Sequence, residues 1–177
     1  SVSHYGIWSL FLWIYLVNRH TFGLAEPRWN YLAISVLLLG VGFAFARSMH
    51  TSFATHERVS LALDIVSTIG MMAAGGLLSY GGTGTQTASL LLAGASLGWP
   101  YIRWGLVFAA HDLRETARFL VGGSFVWVLA QLVLETCALP LEGPFAIVLP
   151  LLSYLQMSHS LPKNYARPAP MNVRFAT

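Results

Sequence analysis

Charge is scarce in this chain. Only 10% of its residues are charged and 55% are hydrophobic, whereas soluble domains carry about 25% charged residues. That composition cannot cover a soluble domain of ordinary polarity, and it leaves no room for a soluble catalytic domain. Lysine and arginine form neither a run of five nor a stripe, so the net charge of +3 comes from scattered loop residues. Such scatter does not neutralise several phosphates, which excludes nucleic-acid binding through this segment. Cys137 is the sole cysteine. It excludes an internal disulfide and any CxxC metal site, and reads as a small buried apolar residue. The histidines (His4, His20, His50, His56, His111 and His159) show no HxxxH or HExxH spacing, so neither a metal nor a haem is expected. No Ser-His-Asp or paired-carboxylate arrangement is present, so the chain reads as a non-enzyme without cofactor. It also lacks internal repeats and low-complexity tracts. No Lys/Arg cluster precedes the first apolar run, which therefore does not read as a signal peptide.

What fills the sequence instead is six apolar stretches: His4–Val17, Asn30–Ala46, Val59–Tyr80, Gln86–Ala110, Ala117–Leu139, and a last one from Gly143 or Pro144 to about Met157. A helix needs about 20 apolar residues to cross about 30 Å of hydrocarbon. The stretches are apolar on all sides and do not alternate as barrel strands do. The expected fold is therefore all-α, a polytopic membrane bundle of six transmembrane helices over residues 1–160, with 161–177 as a cytoplasmic tail or linker. Gly81-Gly82-Thr83-Gly84-Thr85 reads as a tight turn rather than a phosphate loop, because no Lys follows it and no strand precedes it. Arg47, Arg58, Arg114, Arg118, Lys163, Arg167 and Arg174 fall on one side of the expected bundle, and only Arg19 and Arg28 on the other. By the positive-inside rule both termini are expected on the cytoplasmic side of a membrane crossed several times.

The few polar residues inside the stretches are the candidate site. Asp64 lies about five residues into the third stretch and Arg103 about seven before the end of the fourth. In an antiparallel hairpin both sit ~8–10 Å from the cytoplasmic ends, at 1.5 Å per residue. An unpaired charge there costs several kcal/mol, so the two are expected to approach each other or to share a polar partner. Two readings stand: a ligand- or proton-sensing pair, or Arg103 snorkelling to the interface while Asp64 bonds Ser60, Ser67 or Thr68. Ser60, Asp64 and Thr68 make one polar stripe, and Gln131 and Glu135 another toward the external side. Both stripes are expected to face the interior, lining a cavity or bonding between helices. Trp99, Pro100, Tyr101, Arg103 and Trp104 form the densest cluster, with Pro100 expected to kink its helix and Trp99 within cation–π reach of Arg103. It reads either as a pocket for a small apolar ligand or as an interfacial aromatic belt. The ligand-binding candidates are thus Asp64, Arg103, Trp99, Trp104, Gln131 and Glu135. Gly94/Gly98, with Gly70/Ala74 and Gly75/Ser79, suit close packing of the third and fourth stretches, or a homodimer or partner membrane subunit.

The segment from Gly94 to Met157 combines a Gly-rich span ending in Trp99-Pro100-Tyr101-Ile102-Arg103-Trp104-Gly105, a short Arg-containing loop, Ser124, Pro140 and a closing Leu149-Pro150-Leu151-Leu152-Ser153. It resembles the membrane-spanning N-terminal region of LuxR-type transcriptional regulators from gut actinobacteria. That resemblance implies transporter-like helices, commonly in two sets of six, followed by a cytoplasmic helix-turn-helix. The tail after Leu161, PKNYARPAPMNVRFAT, holds no helix-turn-helix, so the resemblance implies a sensor half whose output domain lies beyond residue 177. The competing expectations are half of a major-facilitator-like transporter and an accessory subunit of a larger membrane assembly. Against the former, Arg47–Arg58 lacks the Gly-x-x-x-Asp-Arg-x-Gly-Arg pattern.

Overall fold

The computed structural model describes residues 2–21, 57–109, 111–137 and 142–160. Among these residues the fold is all-α, with five α-helices and no strand. A 3-10 turn, Val2–Tyr5, leads into α1 (Ile7–Thr21); α2 (Glu57–Tyr80), α3 (Gln86–Ala109), α4 (Leu113–Cys137) and α5 (Glu142–Ser160) follow. These helices correspond to the first, third, fourth, fifth and sixth apolar stretches. The second stretch, Asn30–Ala46, and the tail 161–177 lie outside the described residues.

Helix boundaries follow local chemistry. α4 starts at Leu113, four residues before the apolar run, because the Asp112 side chain accepts a hydrogen bond from the Glu115 amide at 2.7 Å. That bond caps a helix end whose first amides have no partner within the helix. Between α2 and α3 the Gly-rich segment is a turn, as its composition predicts. The Gly81 amide bonds the Leu77 carbonyl at 2.9 Å, and Thr85 bonds the Gly82 carbonyl through both its amide and its hydroxyl.

In space the helices run in the order α3, α2, α5, α1, α4. α2 packs chiefly on α3 and α5, and α1 on α5 and α4. The core joins Leu10, Trp13 and Leu16 of α1, Met71 and Ala74 of α2, Leu97, Trp104 and Val107 of α3, and Ala146 and Leu149 of α5. Small residues on α2 allow close approach on both of its sides. A methyl group at Gly70 would lie 2.1 Å from Ser96 Oγ of α3, and Ser89 of α3 bonds the Ala74 carbonyl at 2.7 Å. A methyl group at Gly75 would lie 2.3 Å from the Ala146 carbonyl oxygen of α5. So Gly70 and Ala74 serve the α2–α3 contact as expected, whereas Gly75 serves α2–α5.

Two of these helices, Arg58–Tyr80 and Leu113–Thr136, are long and apolar enough to cross a membrane. α1, at 15 residues, is short for a span, and α3 is interrupted by Pro100 and Arg103. α4 turns Val121, Phe125, Val128 and Leu132 outward, all more than half exposed.

Candidate functional site

The centre of the site is the Asp64 carboxylate. α2 runs toward the Gly81–Thr85 turn and α3 runs back from it. The tight turn fixes their register and brings Asp64 level with Trp99 and Arg103. Arg103 Nε donates to Asp64 Oδ1 and Nη2 to Oδ2, each at 3.0 Å. This two-pronged pairing matches the planar fork of guanidinium to the carboxylate. Trp99 Nε1 donates to the same Oδ1 at 2.7 Å. The two charged side chains are 4% and 13% exposed, so the pair is buried.

Of the two readings of Asp64, the structure takes the paired one. Arg103 turns inward to the carboxylate instead of snorkelling. The hydroxyls of Ser67 and Thr68 donate at 3.1 and 2.6 Å to the main-chain carbonyl of Asp64, not to its carboxylate. Ser60 Oγ, one turn earlier, is buried with no hydrogen bond among the described residues. Trp99 joins Arg103 through the shared carboxylate, a link that cation–π reasoning did not anticipate.

The aromatic cluster contributes to the core: Trp104 is 1% exposed and Pro100 is buried, while Trp99 and Tyr101 are half-buried. Trp104 donates to Ser153 Oγ of α5 at 3.2 Å, whereas Trp99 donates to Asp64. A cavity of about 10 Å³ lies beside Asp64, lined also by Ser67, Thr68, Pro100, Pro150 and Ser153. That is room for about one water, against about 300–1,000 Å³ for pockets that take drug-sized ligands.

Gln131 and Glu135 do not join this site. They lie at the opposite end of the bundle, where Glu135 accepts hydrogen bonds from Tyr15 of α1 and, at 3.1 Å, from Gln131. Contrary to the expected interior position, Glu135 is exposed among the described residues. Nearby, Arg19 of α1 pairs with Glu142 of α5 at 3.1 Å.

Two further residues, Pro150 of the sixth stretch and Trp13 of the first, are joined in a way that their positions in the sequence do not announce. Pro150 has no N–H, so the Ala146 carbonyl one turn earlier loses its helical partner. Trp13 Nε1 of α1 donates to that carbonyl at 2.8 Å. Proline inside an apolar run signals a freed carbonyl, but only the α1–α5 contact shows which donor satisfies it.

No family model, curated protein or solved structure matches the chain.

Proposed function

We propose that this chain is the membrane-embedded, signal-sensing region of a LuxR-type transcriptional regulator whose DNA-binding part is not in residues 1–177. In this reading it is a six-span bundle in a bacterial cytoplasmic membrane with both termini cytoplasmic. The observation that carries the proposal is the buried Asp64–Arg103 pair sealed by Trp99. Charges inside an apolar bundle are costly and mark functional positions by default. A pair held on two different helices also has two defined states, joined or parted. The helix ends agree with the charge-derived orientation: Arg58, Arg114 and Arg118 stand at the end nearer this pair, and Arg19 at the other.

The cavity beside Asp64 takes only about one water, so in this reading the stimulus acts by parting the ion pair and not by filling that cavity. A ligand can shift the balance only through a difference in affinity for the two states. The test uses the full chain in nanodiscs and follows tryptophan emission while pH, ionic strength and a panel of apolar and acidic small molecules are varied. The proposal expects a stimulus-dependent change that Asp64→Asn abolishes. A chain that answers no stimulus, or answers equally as Asp64→Asn, contradicts it.

One observation favours a second reading, half of a major-facilitator-like transporter or a subunit of a larger assembly. Among the described residues α4 packs mainly on α1 and the N-terminal turn, leaving a broad apolar face. Crosslinks from Phe125 and Leu132 to a protein partner, and none to lipid, would carry that reading.

A further inference from the structure

We propose that α5 is a hinged lever, pivoting at Pro150, whose inner half is positioned by the Asp64–Arg103 pair across a cavity holding one water. The inference rests on the sensor reading only in taking this motion as the output, because α5 is the helix that leads into the C-terminal segment.

The hinge is built from missing backbone bonds. Pro150 removes one hydrogen bond inside α5, and Trp13 of α1 caps the freed Ala146 carbonyl at 2.8 Å. Pro100 removes one inside α3 at the same level, for both prolines line the cavity beside Asp64. α2, which carries Asp64 between them, contains no proline. Two interrupted helices thus flank the uninterrupted one that holds the carboxylate. A helix bends most readily where a proline interrupts its ladder.

The two halves of α5 are held by different elements. The outer half is clamped: Gly75 of α2 meets the Ala146 carbonyl so closely that a methyl group would lie 2.3 Å from it, and Glu142 pairs with Arg19. The inner half faces the cavity with Ser153, Tyr154 and Met157. It is tied to α3 by the Trp104–Ser153 bond at 3.2 Å, and to the start of α1 by the Ser9–Gln156 bond at 3.0 Å and by Gly6, where a methyl group would lie 2.5 Å from Gln156 Cβ.

The cavity is chemically suited to water. The Ser67 and Thr68 hydroxyls spend their hydrogens on the Asp64 carbonyl, which leaves oxygen lone pairs to accept. Ser153 accepts from Trp104, which leaves its own O–H to donate. A water needs two to four such partners. It would connect the Asp64 turn of α2 to Ser153 of α5, so that parting Asp64 from Arg103 changes what the inner half of α5 rests on.

The experiment measures two spin-label distances in the full chain in nanodiscs, with Cys137 replaced by Ser. Labels at Val121 and Ser158 read the inner half of α5 against α4. Labels at Val133 and Val148 read the outer half. Asp64→Asn is expected to shift or broaden the inner distance and leave the outer one unchanged. Pro150→Ala, which restores the amide donor, is expected to return the inner distance of the Asp64→Asn chain toward wild type. Trp13→Phe, which uncaps the Ala146 carbonyl, is expected to broaden the inner distance with Asp64 intact, and it tests the hinge independently if Pro150→Ala does not fold. No change with Asp64→Asn, or equal change in both distances, overturns the lever; so does Trp13→Phe without effect. The perturbation is a substitution and not a stimulus. A bundle that moves this way yet answers no stimulus would sink the sensor reading alone.

Discussion

Among the described residues two ion pairs join helices, and they differ in where they sit. Asp64–Arg103 links α2 to α3 with side chains 4% and 13% exposed; Arg19–Glu142 links α1 to α5 with side chains 41% and 28% exposed. The separations are nearly equal, at 3.0 and 3.1 Å. Distance therefore does not distinguish them, and surroundings do. Exposed pairs are screened and lose side-chain entropy, so they contribute about 0–1 kcal/mol. A buried pair gains little net stability over apolar residues, but removing one partner strands a charge. The inner pair is thus a place where a small chemical change has a large structural effect, and the outer pair is not.

The largest expected effect comes from stranding the inner charge. Arg103→Ala should destabilise the bundle by about 3–5 kcal/mol, the usual cost of breaking a buried pair. Thermal unfolding in detergent micelles measures this, and a loss no greater than that of Arg19→Ala would erase the difference between the two regions. Trp99→Phe keeps the ring and deletes the bond to Oδ1; it should cost about 1.5–3 kcal/mol, the range for a hydrogen bond to a charged group. Gly75→Ala tests the clamp on the outer half of α5. Forcing a methyl against the Ala146 carbonyl should cost about 1–3 kcal/mol by overpacking, and it should also disturb the indole environment of Trp13, visible in near-ultraviolet circular dichroism. Smallest is Arg19→Gln, expected within about 1 kcal/mol of wild type. That small loss should fade as salt rises, because exposed charges are screened over about 8–10 Å at ordinary ionic strength. A salt-insensitive loss would mean that the outer pair is sheltered.

The inner pair was legible in the sequence for a simple reason. A Gly-rich turn of fixed length joins two long apolar runs, so counting residues from it places Asp64 and Arg103 at one depth. Tight packing at Gly70 and Ala74 was legible on the same grounds, because the hairpin partner is adjacent in sequence. Contacts between helices distant in sequence were not legible. Gly75 looked like part of the same small-residue pattern, yet its neighbour is Ala146, more than seventy residues later. Trp13 as the donor to a proline-freed carbonyl needed the α1–α5 contact, which no spacing encodes. Glu135 was misplaced because a polar stripe on an apolar helix implies an interior, whereas here it faces the rim between α1 and α4. Trp and Tyr near a helix end suit an interface, and nothing in the spacing singles out Trp104 as the one whose indole reaches the core to bond Ser153.

A pair of double-mutant cycles, run side by side, tests the central claim most directly. Asp64→Asn and Arg103→Gln, singly and together, give the inner coupling; Arg19→Gln and Glu142→Gln give the outer one. The account predicts an inner coupling of about 2 kcal/mol or more, toward the upper end for residues in one network, and an outer coupling of about 0.2–1 kcal/mol. Equal couplings, or a weaker inner one, would contradict it.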